Sequence, residues 1–65
     1  MKILIDNVEV ITIRVAAQRA NVSTQYFYRV LNDESSGLVT KTDGKYKYVT
    51  LDSFNRWMEL RNESN

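Results

Sequence analysis

Between Thr12 and Asn32 the chain reads Thr-Ile-Arg-Val-Ala-Ala-Gln-Arg-Ala-Asn-Val-Ser-Thr-Gln-Tyr-Phe-Tyr-Arg-Val-Leu-Asn, and this stretch constrains the fold more than any other. Ala16, Ala17 and Ala20 recur at helical spacing and are small enough for two helices to approach closely. Asn21 follows, a residue that tolerates the left-handed backbone of a tight interhelical turn. Val22 is placed to plug that turn, and Ser23 to cap a second helix. In that helix Phe27, Val30 and Leu31 fall at i, i+3 and i+4 and face inward, leaving Thr24, Gln25, Tyr28, Arg29 and Asn32 outside. The spacing predicts a helix over 13–20 capped by Thr12, a second over 24–32, and a three-residue turn between them. That order is a helix-turn-helix.

The flanking segments alternate rather than cycle. Ile3-Leu4-Ile5, then Asp6-Asn7, then Val8, Val10 and Ile11 read as strand, two-residue turn and strand, with a single irregular extended arm as the alternative. Residues 32–37, Asn-Asp-Glu-Ser-Ser-Gly, form a polar cluster that ends the second helix. Val39 to Val49 gives a second hairpin around Asp43-Gly44, a pair suited to a type I′ turn. That turn would set Thr42 opposite Lys45 and Lys41 opposite Tyr46. Thr50 is placed to cap a last helix with one apolar stripe, Leu51, Phe54, Trp57 and Met58, and residues 63–65 should fray. The expectation is one α+β domain over residues 1–65: a winged helix-turn-helix with short helices, a two-stranded β wing and an N-terminal hairpin.

Composition removes several function classes. With no histidine and no cysteine, disulfide bonding, zinc ligation and the commonest acid-base and nucleophilic groups are all missing. Two glycines leave no glycine-rich phosphate loop. No enzyme activity, no metal, no cofactor and no small-molecule ligand is therefore expected. Apolar runs fall far short of the roughly 20 residues of a membrane span, and no signal-peptide pattern opens the chain, which fits a cytoplasmic protein. Stability has to come from one apolar core, for which 43% hydrophobic residues suffice. The net charge of +1 neither favours nor excludes nucleic acid; its distribution matters more. Arg14, Arg19, Arg29, Lys41, Lys45 and Lys47 lie in the helix-turn-helix and the stretch after it.

Gln25 and Arg29, four apart, project from one helix face. Gln can bond adenine N6 and N7 together, and Arg can bond guanine O6 and N7. Thr24 and Tyr28 complete that face as base-reading candidates; partial burial of Tyr28 under the wing is the competing account. Ser23 and Asn32 are candidates for phosphate contact, although capping alone would explain Ser23. Lys41, Lys45 and Lys47 are placed to follow phosphates from the wing, against the alternative that they protect an exposed sheet edge. Trp57 and Met58 read as core, and Leu60 lies off the stripe.

Thr12 to Asn32 resembles the helix-turn-helix of LacI-type repressors. Thr12-Ile13, Ala17, Ala20, Val22-Ser23 and Arg29-Val30-Leu31-Asn32 match in register, while Asn21 stands where that family has glycine, and Tyr26 and Tyr28 where it has small hydroxyl residues. The resemblance implies base reading at Thr24, Gln25 and Arg29 and phosphate contact at Ser23 and Asn32. Over residues 11–61 the order of elements is similar to small winged helix-turn-helix proteins of the excisionase and MerR-like group, found mostly in phages, plasmids and integrative elements.

These readings make double-stranded DNA the expected partner, bound by a small transcriptional regulator of a phage or mobile element. A homodimer or a cooperative oligomer on DNA is expected, because a single module of this size binds weakly alone. An excisionase-type recombination directionality factor is the nearest alternative, set second because no long basic tail is visible to engage an integrase. A helix-turn-helix-shaped protein-interaction module or inhibitor is the alternative from another class.

Overall fold

A computed structural model describes residues 2–63. Its elements run β1 (Ile3–Ile5), β2 (Val8–Thr12), α1 (Ile13–Ala20), α2 (Thr24–Leu31), a 3-10 turn (Glu34–Ser36), β3 (Thr40–Asp43), β4 (Tyr46–Thr50) and α3 (Leu51–Glu63). The fold is α+β, three helices with an antiparallel four-stranded sheet of order β1-β2-β4-β3. The fraying expected at the C-terminus lies, for Ser64 and Asn65, outside the described residues.

The two helices of the central motif form where their caps dictate. Thr12, in extended conformation, accepts the Val15 N–H on its Oγ1 at 3.1 Å and starts α1. Asn21 ends it in the left-handed region (φ 60°, ψ 42°). The Val22 N–H then bonds the Ala17 carbonyl and the Asn21 N–H the Gln18 carbonyl, the paired bonds of a Schellman ending. Ser23 accepts the Tyr26 N–H at 3.1 Å and opens α2. Only three residues separate the helices, so their apolar faces must meet. Ala16, Ala17 and Ala20 are buried, and Val22, Val30 and Leu31 pack against the same cluster.

Phe27 sits at its centre, fully buried. Its ring meets Phe54 at 6.1 Å between centroids and Trp57 at 5.5 Å, both edge to face. The stripe on α3 therefore packs as the sequence predicts, with Leu51 and Met58 at its margins. Arg61 fastens the far end of α3. Its guanidinium lies 4.8 Å from the Trp57 ring and donates to the Ala20 carbonyl at 3.4 Å, which places a cation at the C-terminus of α1.

The sheet corrects the expected wing. β3 and β4 do pair as a hairpin, but β4 also pairs with β2, with Ile11 opposite Val49. Both side chains are buried in the shared cluster, and that burial joins the two hairpins into one sheet. The N-terminal hairpin is real, so the single extended arm is ruled out. Asp6 (φ 54°) and Asn7 (φ 64°) are both left-handed, the geometry of a type I′ turn. At the second hairpin the turn is one residue later than expected. Asp43 faces Tyr46, Thr42 faces Lys47 and Lys41 faces Tyr48, so Gly44 and Lys45 are the loop. Gly44 takes φ 63° and Asp43 has no positive φ, which suits a turn with glycine in its first central position rather than a type I′ pair.

Thr50 is not a simple cap. Its N–H donates to the Val39 carbonyl at 2.9 Å, and its Oγ1 lies 2.6 Å from the Ser53 Oγ. Ser53 accepts the Val39 N–H at 3.0 Å. The segment before β3 is thereby tied to the start of α3 through Val39.

Candidate nucleic-acid interface

Capping and core packing together fix the outer face of α2. With Phe27 buried and Val30 and Leu31 turned to the core, helical period leaves Thr24, Gln25, Tyr28, Arg29 and Asn32 exposed on one side. Tyr28 is 46% exposed, so about half of it is accessible on this side. Gln25 and Arg29 line a shallow surface depression together with Ser23 and Tyr26. Tyr26, 48% exposed, joins this face although the sequence marks it only as a departure from the repressor pattern and not as a contact candidate. The signal was its position three residues before Arg29, one helical row away.

The Ser23 oxygen accepts the Tyr26 N–H, which leaves its own hydroxyl hydrogen available to donate. Asn32 ends α2, its backbone N–H bonded to the Tyr28 carbonyl at 3.1 Å. Nine residues of helical rise separate Ser23 from Asn32, about 13 Å along the axis. From Val10 to Asn32 the chain carries Arg14, Arg19 and Arg29 and no Asp or Glu, and all three arginines are exposed. The α1–α2 unit is therefore cationic although the chain is nearly neutral.

The three lysines are not brought together. Lys41 stands opposite Tyr48 and Lys47 opposite Thr42, so strand alternation sends Lys41 and Lys47 to opposite faces of the hairpin. Lys47 shares the face of Val49, the face that packs on the helices. Lys41 is half-buried on the other face, in a depression with Val39, Asp52, Ser53 and Arg56. Lys45 is in the loop, its ammonium 5.7 Å from the Tyr46 ring.

Pairing with β2 stops at Tyr48, opposite Thr12, because the chain then turns into α1. Residues 42–47 consequently project past the sheet as a two-stranded tip, exposed throughout. Lys45 and Lys47 are on this tip, and Lys41 is at its base.

Asp33 shapes the exit from α2. Its carboxylate accepts the Ser35 Oγ at 2.8 Å and the Ser35 N–H at 3.1 Å. These two bonds, the side-chain one first, hold its pKa below the ordinary aspartate value. Among the described residues no cluster of three or more His, Cys, Asp or Glu could hold a metal ion. No described helix is long and apolar enough to cross a membrane. No protein-family model, curated protein or solved structure matches the chain.

Proposed function

We propose that the chain is a winged helix-turn-helix module that binds duplex DNA sequence-specifically, α2 entering the major groove and the β3–β4 tip gripping the adjacent backbone or minor groove. The observation that carries this reading is the exposed strip Thr24, Gln25, Tyr28 and Arg29 on a unit that has three arginines and no carboxylate. Gln and Arg at i, i+4 offer two bidentate contacts one helical turn apart. The roughly 13 Å between Ser23 and Asn32 is close to the roughly 12 Å width of the groove, which suits them to phosphates at its borders. Lys45 and Lys47 would reach phosphates from the tip. Lys41 contributes less, since it faces away from Lys47. The resemblance of Thr12–Asn32 to repressor helix-turn-helix units adds support for a small transcriptional regulator of a phage or mobile element.

Tyr26 and Tyr28, each about half exposed, favour one rival, a protein-interaction surface on the same helix, because tyrosine is enriched at such interfaces. Binding to random duplex measured by fluorescence anisotropy from low to moderate salt separates the two. DNA binding through phosphates must weaken linearly in log-log form as salt rises. Absence of binding at low salt would leave the protein-interaction reading.

A further inference from the structure

Residues 2–6 read Lys-Ile-Leu-Ile-Asp: a cation at one end, a carboxylate at the other and three aliphatic side chains between. Laid antiparallel on a copy of itself, this segment matches cation to carboxylate at both ends. It includes β1, an outer strand of the sheet. Among the described residues no strand pairs with the outer edge of β1.

Hydrogen-bond phase decides what that edge offers. With Asp6 and Asn7 forming a two-residue loop, Ile5 and Val8 are the pair that exchanges both backbone bonds. Alternation makes Leu4, opposite Glu9, a non-bonded pair, so the Leu4 N–H and carbonyl point away from β2 to the open edge. The Leu4 side chain is 60% exposed, and Ile3 and Ile5 are only half-buried. The opposite edge strand, β3, is Thr-Lys-Thr-Asp and carries its charges within the strand, a familiar guard against pairing. β1 carries them only at its ends.

We infer that β1 pairs with the β1 of a second copy, antiparallel and centred on Leu4, to form a two-fold symmetric dimer. Leu4 of each subunit donates its N–H to, and accepts one from, Leu4 of the partner subunit. Ile3 meets the partner's Ile5 on the other face, twice by symmetry, and the Lys2 ammonium comes beside the partner's Asp6. Centring on Lys2 or on Asp6 would set like charges opposite each other, which destabilises a ladder. Centring on Leu4 overlaps the whole strand and opposes unlike charges at both ends. The contact uses the same edge of both copies and closes on itself, so it ends at two subunits rather than growing into a fibre.

This pairing does not rest on the DNA-binding reading, and it is tested without DNA. Sedimentation equilibrium of the whole chain over rising concentration should show the mass climb from 7.6 kDa toward twice that. Hydrogen exchange at the Leu4 amide should slow over the same range. Leu4→Lys sets two ammonium groups opposite each other on the axis and should weaken the dimer at least about tenfold, ~1.4 kcal/mol. Its melting temperature at low concentration should stay unchanged, because the site is exposed. Lys2→Glu should also weaken association, and Asp6→Asn in that background should recover most of it, since Asn keeps the left-handed turn. A monomer at every concentration up to about 1 mM, which corresponds to at most about 4 kcal/mol of association, would overturn the inference. So would a dimer indifferent to Leu4→Lys, or a Leu4 amide whose exchange ignores concentration.

Discussion

Phe27 of α2 and Trp57 of α3 meet edge to face, 5.5 Å between ring centroids and 76° between planes. Through this contact the helix that presents Gln25 and Arg29 is braced by the helix that closes the chain. The expected cost of Phe27→Ala is about 3–5 kcal/mol. A single core of this size supplies a margin of only about 3–5 kcal/mol, so the variant should be largely unfolded at 25 °C by circular dichroism. Phe27→Leu keeps most of the volume and should fold with a lowered melting temperature. A stable Phe27→Ala variant would mean that the aromatic cluster is not the centre of the core.

Asn21 is the hinge of the motif. At φ 60° and ψ 42°, Asn21→Gly should be neutral or slightly stabilising, because glycine enters this region without a Cβ penalty. Asn21→Val should cost about 1–2 kcal/mol. Urea unfolding of the two variants measures the difference directly. Valine tolerated as well as glycine would contradict the left-handed turn.

Much of this motif was legible in sequence because each signal is local. Thr12, Asn21 and Ser23 act on backbone groups within five residues, and Ala16, Ala17, Ala20 and Phe27 follow helical period. The pairing of β2 with β4 was not legible. It joins Ile11 to Val49 across two intervening helices, and no local pattern records that partnership. The frame of the second turn escaped for a different reason. Loops at Asp43-Gly44 and Gly44-Lys45 send the same residues of β4 to the same faces, so hydrophobic alternation cannot tell them apart. The role of Ser53 depends on Val39, fourteen residues earlier, and was equally invisible. For the interface, exposure of Thr24, Gln25, Tyr28 and Arg29 followed from period alone. The separation of Lys41 from Lys47 follows from the same alternation, because either loop sets Lys41 on the face of Tyr46 and Tyr48 and Lys47 on the other.

Asp33 gives a pH-dependent signature. Its folded-state pKa is depressed by the Ser35 hydroxyl and N–H. The stabilisation it provides is therefore present above the ordinary aspartate value and is lost as pH falls through the lower folded value. An NMR titration should place the Asp33 midpoint below that of an unstructured aspartate. Ser35→Ala, which removes the hydroxyl donor and keeps the N–H, should raise the midpoint part of the way back. A midpoint unmoved by Ser35→Ala would leave the hydroxyl bond without effect.

The lysines should separate by face and position. Replacing Lys45 and Lys47 with Gln should weaken DNA binding about equally on every sequence and flatten the salt slope by roughly 0.9 for each phosphate that is no longer neutralised. Lys41→Gln should have a smaller effect. Stability should stay within about 0.5 kcal/mol for the exposed pair. An unchanged salt slope in the double variant would make the tip a structural hairpin only.

The central claim is that the outer face of α2 reads base edges, and Arg29 is its sharpest point. Selection from a random duplex pool, followed by affinity measurement on the recovered site and on random duplex, compares the native chain with Arg29→Ala. The account requires a loss of about 1–3 kcal/mol on the selected site, relaxed preference at one G·C position, and little change on random duplex. Equal losses on both duplexes would make Arg29 a phosphate anchor and contradict base reading by α2.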